Sequence, residues 1–130
     1  MMTPSSHAPT HTAVDSFFDE LGRRGYEPLL RKASGRIQFE VVDGPRIEPW
    51  LLVVDNGALE VKREAGRADC TVRGESSVFE ELVSGRKNVT AAVLRGALIC
   101  RGNLELLFAI QRLFPEPPRG WDPTADTRSA

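Results

Sequence analysis

The sequence has few of the residues on which metal centres and covalent catalysis depend. Its 130 residues include two cysteines and two histidines. Cys70 and Cys100 both fall in apolar, strand-like segments, which predicts reduced thiols buried as small core residues. His7 and His11 lie in a tail rich in Pro, Ser and Thr, with too few further ligands nearby for a metal site. We therefore expect no metal ion, no cofactor and no catalytic residue.

Long hydrophobic runs and an excess of one charge are also missing. No apolar run approaches the roughly 20 residues that a membrane-spanning helix needs. The first residues lack the basic and apolar regions of a signal peptide, so a cytoplasmic location is the default expectation. The net charge of −1 gives no electrostatic reason to expect nucleic acid or an anionic membrane as a partner. The hydrophobic fraction of 41% is ordinary for a globular domain.

Periodicity divides the chain into one domain and two tails. We predict a disordered tail at 1–11, a domain at 12–114 and a Pro-rich tail at 115–130. Period-two alternation predicts five strands, at 37–43, 47–55, 58–63, 68–73 and 97–101. Helical spacing predicts helices from Thr12 to about Gly25, from Ser76 or Ser77 to Gly85, from Val89 to Leu94, and at 104–114. This order predicts an α+β fold, a five-stranded sheet covered mainly on one face by helices.

The last predicted helix is apolar around most of its circumference. Asn103 is a good N-cap for it, and Pro115 stops it. An ordinary surface helix has a single apolar stripe, so this helix should be covered on more than one side. Three interpretations stay open: deep burial in the core, the wall of a lipid-filled cavity, or a surface on which another subunit packs.

Four segments, taken in order, resemble a known family. A strand and turn at 35–44 precede a strand and hairpin at 50–57. The segment 68–74 is a predicted strand with Asp69 near its start. It is followed at 79–85 by a short predicted helix that ends in Gly85. The segment 91–104 then has the pattern Gly, strand, Gly-Asn-Leu before the final helix. Together they resemble the sterol-carrier-protein-2-like, or sterol-transfer, domain, over roughly Gly35 to Phe114.

The resemblance implies a function as well as a fold. It implies a hydrophobic tunnel between the sheet and its helices, and non-catalytic binding or transfer of an apolar lipid, whether a sterol, fatty acid, acyl-CoA or phospholipid. The alternative is a protein–protein or dimerisation module, acting as an accessory factor to a lipid- or quinone-modifying enzyme. Three kinds of interaction stay open: transient contact with a membrane, formation of a homodimer, and binding to a partner enzyme.

The strand and helix periods give candidate ligand contacts. They are inward strand positions and apolar positions on the later helices: Trp50, Leu52, Phe79, Leu82, Leu94, Leu98, Leu104, Leu107 and Phe108. Period fixes which face a side chain occupies but does not show a void, so plain core packing is the competing interpretation for each.

Overall fold

A computed structural model describes residues 12–115, so the predicted tails fall outside the described residues except for Pro115. Four helices and five strands follow one another as α1 (Thr12–Arg24), β1 (Ser34–Asp43), β2 (Arg46–Asp55), β3 (Ala58–Lys62), β4 (Cys70–Glu75), α2 (Ser76–Val83), α3 (Val89–Leu94), β5 (Leu98–Gly102) and α4 (Leu104–Ile110). Short 3₁₀ turns occupy Pro28–Leu30 and Gln111–Leu113. Within residues 12–115, no helix has the length and hydropathy needed to cross a bilayer.

The strands form one mixed sheet in the order β3-β2-β1-β4-β5. The first three strands are joined by hairpins and pair antiparallel, whereas β4 pairs parallel with β1. The hairpin predicted at Asn56-Gly57 is confirmed, with both residues at positive φ. This architecture confirms the predicted α+β fold with five strands.

One face of the sheet carries the core. Phe39 lies at the centre of this inner face, 5.1 Å from the ring of Phe18 on α1 and 6.1 Å from the ring of Phe79 on α2. Trp50 stacks on Phe18 at 4.8 Å. Burial of these large rings contributes a substantial share of the favourable free energy of such a core. The helices therefore pack directly on the inner face.

The opposite, outer face is partly covered by the connector between β3 and β4. The side chain of Gln38 points outward, and its Nε2 donates to the carbonyl of Trp50 at 3.1 Å. Its Oε1 accepts from the N–H of Gly66 at 2.7 Å. Leu51, beside it, is fully buried. The sheet is therefore covered on both sides at this part of β2.

Several element bounds differ from the sequence-based predictions by a few residues; β1, for example, begins at Ser34 instead of at 37. The fourth strand extends through Gly74 to Glu75, because Gly74 pairs with Val41 and Leu98 rather than forming a turn. A Cβ on Gly74 would lie 2.7 Å from a methyl of Leu98, so its lack of a side chain permits close packing there. The final helix gives way to a 3₁₀ turn at Gln111, where the prediction continued it to residue 114.

Within residues 12–115, one face of α4 is exposed, so a surface on which another subunit packs stays an open interpretation of this apolar helix. Asn103 caps the helix as predicted, accepting from the N–H of Leu106 at 3.2 Å. Leu107 and Ile110 are buried, but Leu104 and Phe108 are 42% and 38% exposed.

Candidate functional site

Six of the nine predicted ligand contacts lie in the core. They are buried side chains of the inner sheet face and of α2 and α4: Trp50, Leu52, Phe79, Leu82, Leu98 and Leu107. The rings between the sheet, α1 and α2 are in direct contact, as described above. The structure therefore places these six in packed surroundings, and ligand contact stays a prediction for them.

A cavity of about 580 Å³ lies between α3 and the end of α4. We call it the α3–α4 cavity. Its lining comes from the approach to α3, from α3 itself and from the residues after α4: Lys87, Asn88, Val89, Thr90, Ala91, Leu94, Gln111, Arg112, Phe114 and Pro115. Its volume lies within the range of about 300–1,000 Å³ that small-molecule sites occupy. Leu94 is thus the predicted contact that belongs to the cavity lining.

Three interactions hold the walls of the α3–α4 cavity in place. Asn88 begins α3, and its side-chain oxygen accepts from the N–H of Ala91 at 3.0 Å. The hydroxyl of Thr90 and the side-chain oxygen of Gln111 lie 3.0 Å apart, which joins α3 to the turn after α4. Phe114 stacks on Phe17 of α1 with ring centroids 4.7 Å apart. The cavity is therefore built from segments that tertiary contacts bring together.

The lining combines apolar surface with positive charge. Val89, Leu94 and Phe114 supply apolar walls, and Lys87 and Arg112 supply two basic side chains. Among the described lining residues there is no acidic side chain. Such a site favours a ligand with an apolar body and an anionic or strongly polar end.

The remaining two predicted contacts, Leu104 and Phe108, lie on the exposed side of α4 and outside the cavity lining. Most of the lining, including Thr90, Gln111 and Phe114, was not among the predicted contacts. The one local signal was Asn88, a favourable N-cap immediately before α3. The contact between Thr90 and Gln111 joins residues that are 21 positions apart in the sequence, so no local pattern indicates it.

The described residues offer little reactive chemistry. Burial raises the pKa of the Cys70 thiol to about 11, with smaller contributions from the charges of Cys100 and Asp69. Burial also raises the pKa of Cys100. Both thiols are therefore protonated near neutral pH and are poor nucleophiles. Within residues 12–115, no group of three or more potential metal ligands comes together, and His7 and His11 lie outside those residues.

Comparison with known proteins agrees with this fold. The chain belongs to the SCP-2 sterol transfer family, whose model matches residues 18–115. Human sterol carrier protein 2 is 32% identical over 120 residues, which cover 84% of this chain and 22% of the human protein. The chain thus spans about a fifth of the length of the curated relatives it matches. Family membership supports lipid binding or transfer as the general role.

Solved structures share the architecture at low sequence identity. The solution structure of palmitated sterol carrier protein 2-like 2 from Aedes aegypti has a TM-score of 0.67 and 17% identity, covering 82% of this chain and 98% of that one. The apo form of sterol carrier protein 2 from Yarrowia lipolytica has a TM-score of 0.60 and 23% identity, covering 79% and 97%. At these identities the likeness shows the fold alone.

Proposed function

We propose that this protein binds and passes on an apolar lipid without catalysis, and that the α3–α4 cavity is where the ligand is held. The observation that carries the proposal is the cavity itself, in which apolar walls from α3 and Phe114 stand beside Lys87 and Arg112. Family membership independently supports a lipid as the ligand. The raised pKa values of the two cysteine thiols add support for a role without covalent chemistry.

The size of the α3–α4 cavity suits a flexible acyl chain better than a small polar metabolite. Burying methylene groups gains about 0.8 kcal/mol each, so about twelve of them would gain roughly 10 kcal/mol before association costs. Those costs are several kcal/mol for the lost motion of ligand and protein. A net affinity in the micromolar range or better follows when most of the chain is buried.

The basic residues favour a lipid with a carboxylate or phosphate. The Arg112 guanidinium can form two parallel hydrogen bonds with either group, and Lys87 adds a second positive charge at the same cavity. A fatty acid, an acyl-CoA and a phospholipid all carry such a group at one end. The hydrophobic tunnel between sheet and helices, implied by the resemblance, stays a prediction.

Filling the α3–α4 cavity tests the proposal. Ala91 lines the cavity and is half-buried on α3, so Ala91→Trp should occupy part of its volume. The matched control is Ala13→Trp, on the exposed side of α1. Delipidated protein is titrated with a fluorescent fatty acid, and circular dichroism checks the fold of both variants. We expect Ala91→Trp to weaken binding at least tenfold and Ala13→Trp to leave it unchanged.

Two results would count against the proposal. Equal fatty-acid affinities in the folded Ala91→Trp and Ala13→Trp variants would show that the ligand is held elsewhere. Native mass spectrometry separates the other class of function: co-purifying lipid supports the carrier, whereas a lipid-free dimer supports a dimerisation module.

A further inference from the structure

The outer face of the sheet has a covered part and an open part. The connector between β3 and β4 lies over the first part, where the N–H of Gly66 donates to the side chain of Gln38. Farther along the strands, Ile47 of β2 and Ile99 of β5 belong to the same face and are 47% and 56% exposed. The rest of the described chain, 12–115, therefore leaves this second part largely uncovered.

One row of side chains crosses the uncovered part from β2 to β5. Strand pairing places four residues side by side, in the order Pro49, Glu40, Arg73 and Ile99. They share the face of Gln38, because directly paired residues lie on one face and alternate residues of a strand return to it. In agreement, Nε of Arg73 lies 3.9 Å from Oε1 of Glu40. We call these four residues the outer row.

The outer row is complementary to itself, since its order is apolar, acidic, basic, apolar. Consider a second copy related by a two-fold axis that runs parallel to the strands between β1 and β4. Glu40 then faces Arg73 of the second copy, and Pro49 faces Ile99. An axis along the row would instead set Glu40 against Glu40, which is unfavourable. Two-fold dimers need self-complementary surfaces, and the first axis supplies one.

We infer that this protein forms a symmetric homodimer through the uncovered part of its outer sheet face, with the two-fold axis between β1 and β4. Two twisted sheets commonly pack face to face with their strands nearly aligned and about 10 Å apart. The helices that form the α3–α4 cavity pack on the other face of the sheet. Both copies can therefore hold a ligand, and the inference goes beyond the proposed lipid binding without depending on it.

The charges set the orientation of the dimer more than its strength. The side chains of Arg73 and Glu40 are 43% and 28% exposed, so their own ion pair is partly hydrated and weak. In the dimer each charge gains a second opposite charge, which favours the correct partner and register. The uncovered part of the face is small beside the roughly 800 Å² per partner of a stable complex. We therefore expect a reversible dimer that forms at micromolar or higher concentration.

The exposed side of α4 is the competing contact surface. It offers the apolar side chains of Leu104 and Phe108, which are 42% and 38% exposed. Apolar contact of that kind does not distinguish a second copy from another apolar surface. The outer row does so, because its two charges and two apolar ends match their own order in reverse. A second copy on the sheet is therefore the favoured arrangement.

Charge reversal tests the inference by analytical ultracentrifugation of the full-length protein over a wide concentration range. Glu40→Arg and Arg73→Glu each set like charges face to face, so we expect either variant to weaken the dimer at least tenfold. Arg23→Glu, on the exposed side of α1, is the matched control and should leave it unchanged. Circular dichroism checks the fold of each variant.

Mixing the two single variants is the decisive measurement. Each presents the charge that the other lacks, so an equimolar mixture should dimerise about as strongly as the wild type. The double variant Glu40→Arg, Arg73→Glu should also dimerise, because the outer row stays self-complementary. If the ion pair acts within one chain alone, the double variant would recover and the mixture would not, and that result overturns the inference.

The apolar end of the outer row has its own test. Ile99→Thr keeps a β-branched residue on β5 but removes apolar surface, and two-fold symmetry repeats the loss in the second copy. Leu29→Thr is the matched control, at a position 57% exposed in the turn after α1, where Ile99 is 56% exposed. We expect Ile99→Thr to weaken the dimer at least fivefold and Leu29→Thr to leave it unchanged.

The outcomes separate this inference from the proposed function. Wild-type protein that stays monomeric at every concentration overturns the dimer. So does a dimer that survives both charge reversals but is lost in Phe108→Asp, since its contact then lies on α4. Fatty-acid titration is the independent measurement of ligand binding. If it succeeds while no dimer forms, dimerisation alone is wrong; if it fails while the mixed variants dimerise, the lipid-carrier function is wrong.

Discussion

Substitution of Leu107 by Ala separates a packed core from a cavity wall. Leu107 is 1% exposed, lies on the buried side of α4 and belongs to the main hydrophobic cluster. Removing its isobutyl group loses transfer free energy and leaves a hole that the surroundings close only partly. The expected cost is about 2–5 kcal/mol of unfolding free energy. Leu94→Ala removes the same atoms at a position 81% exposed, and should cost less than about 0.5 kcal/mol.

Urea unfolding of delipidated protein, followed by circular dichroism, measures both effects. We expect the midpoint of Leu107→Ala to fall with the slope unchanged, since neither variant alters the surface exposed on unfolding. Its thermal midpoint should drop by about 8 °C or more, at about 4–8 °C per kcal/mol for a domain of this size. The Leu94→Ala variant should instead lose fatty-acid affinity, because its side chain lines the α3–α4 cavity.

A small cost for Leu107→Ala would refute this reasoning. A loss below about 1 kcal/mol is the value expected of a residue beside an existing void rather than inside close packing. Coupled with weaker fatty-acid binding, it would place the ligand beneath α4, in the tunnel that the family resemblance implies. The same pair of measurements therefore decides between the two sites.

Three further perturbations follow from single contacts. Asn88→Ala removes the cap of α3 and should cost about 1 kcal/mol, seen as faster amide exchange across α3; unchanged exchange contradicts it. Gly102→Ala should cost about 2–3 kcal/mol in urea unfolding, because φ there is +99° and a Cβ would collide with the carbonyl of Asp69. The Cys70 thiol keeps its proton to about pH 11 when folded but loses it near pH 9.0 when unfolded, so the folded state binds more protons in that interval. Stability should therefore fall by about 2–3 kcal/mol as pH rises through it, and Cys70→Ala should show a smaller fall; equal falls would contradict this.

Most of the fold was predictable because its signals are local. The hairpin at Asn56-Gly57 needs two residues at positive φ, which Asn and Gly adopt at low cost. The cap at Asn103 needs one side-chain oxygen and the helix that follows it. The predicted fourth strand ended at residue 73, just before Gly74. Glycine usually marks a turn, but here it permits close approach of Leu98 inside the sheet.

Local sequence signals of this kind could not predict the α3–α4 cavity. Periodicity places a side chain on a face of a strand or helix, but a void depends on where two elements fail to meet. That distance is fixed here by Thr90 with Gln111 and by Phe17 with Phe114, pairs far apart in sequence. Six predicted contacts accordingly fall in the packed core, and Leu94 alone of the nine reaches the cavity lining.

If the α3–α4 cavity holds the ligand, as proposed, its position offers a way for a long ligand to enter. The sheet has strands of ten residues at its centre and holds the aromatic core, so opening it would disrupt many buried contacts. Helix α3 has six residues, well below the length at which a helix is stable alone, and depends on Asn88 and Thr90 for its position. Local opening is cheapest where buried contacts are few. Movement of α3 away from Gln111 would therefore enlarge the α3–α4 cavity while the sheet and its core stay intact.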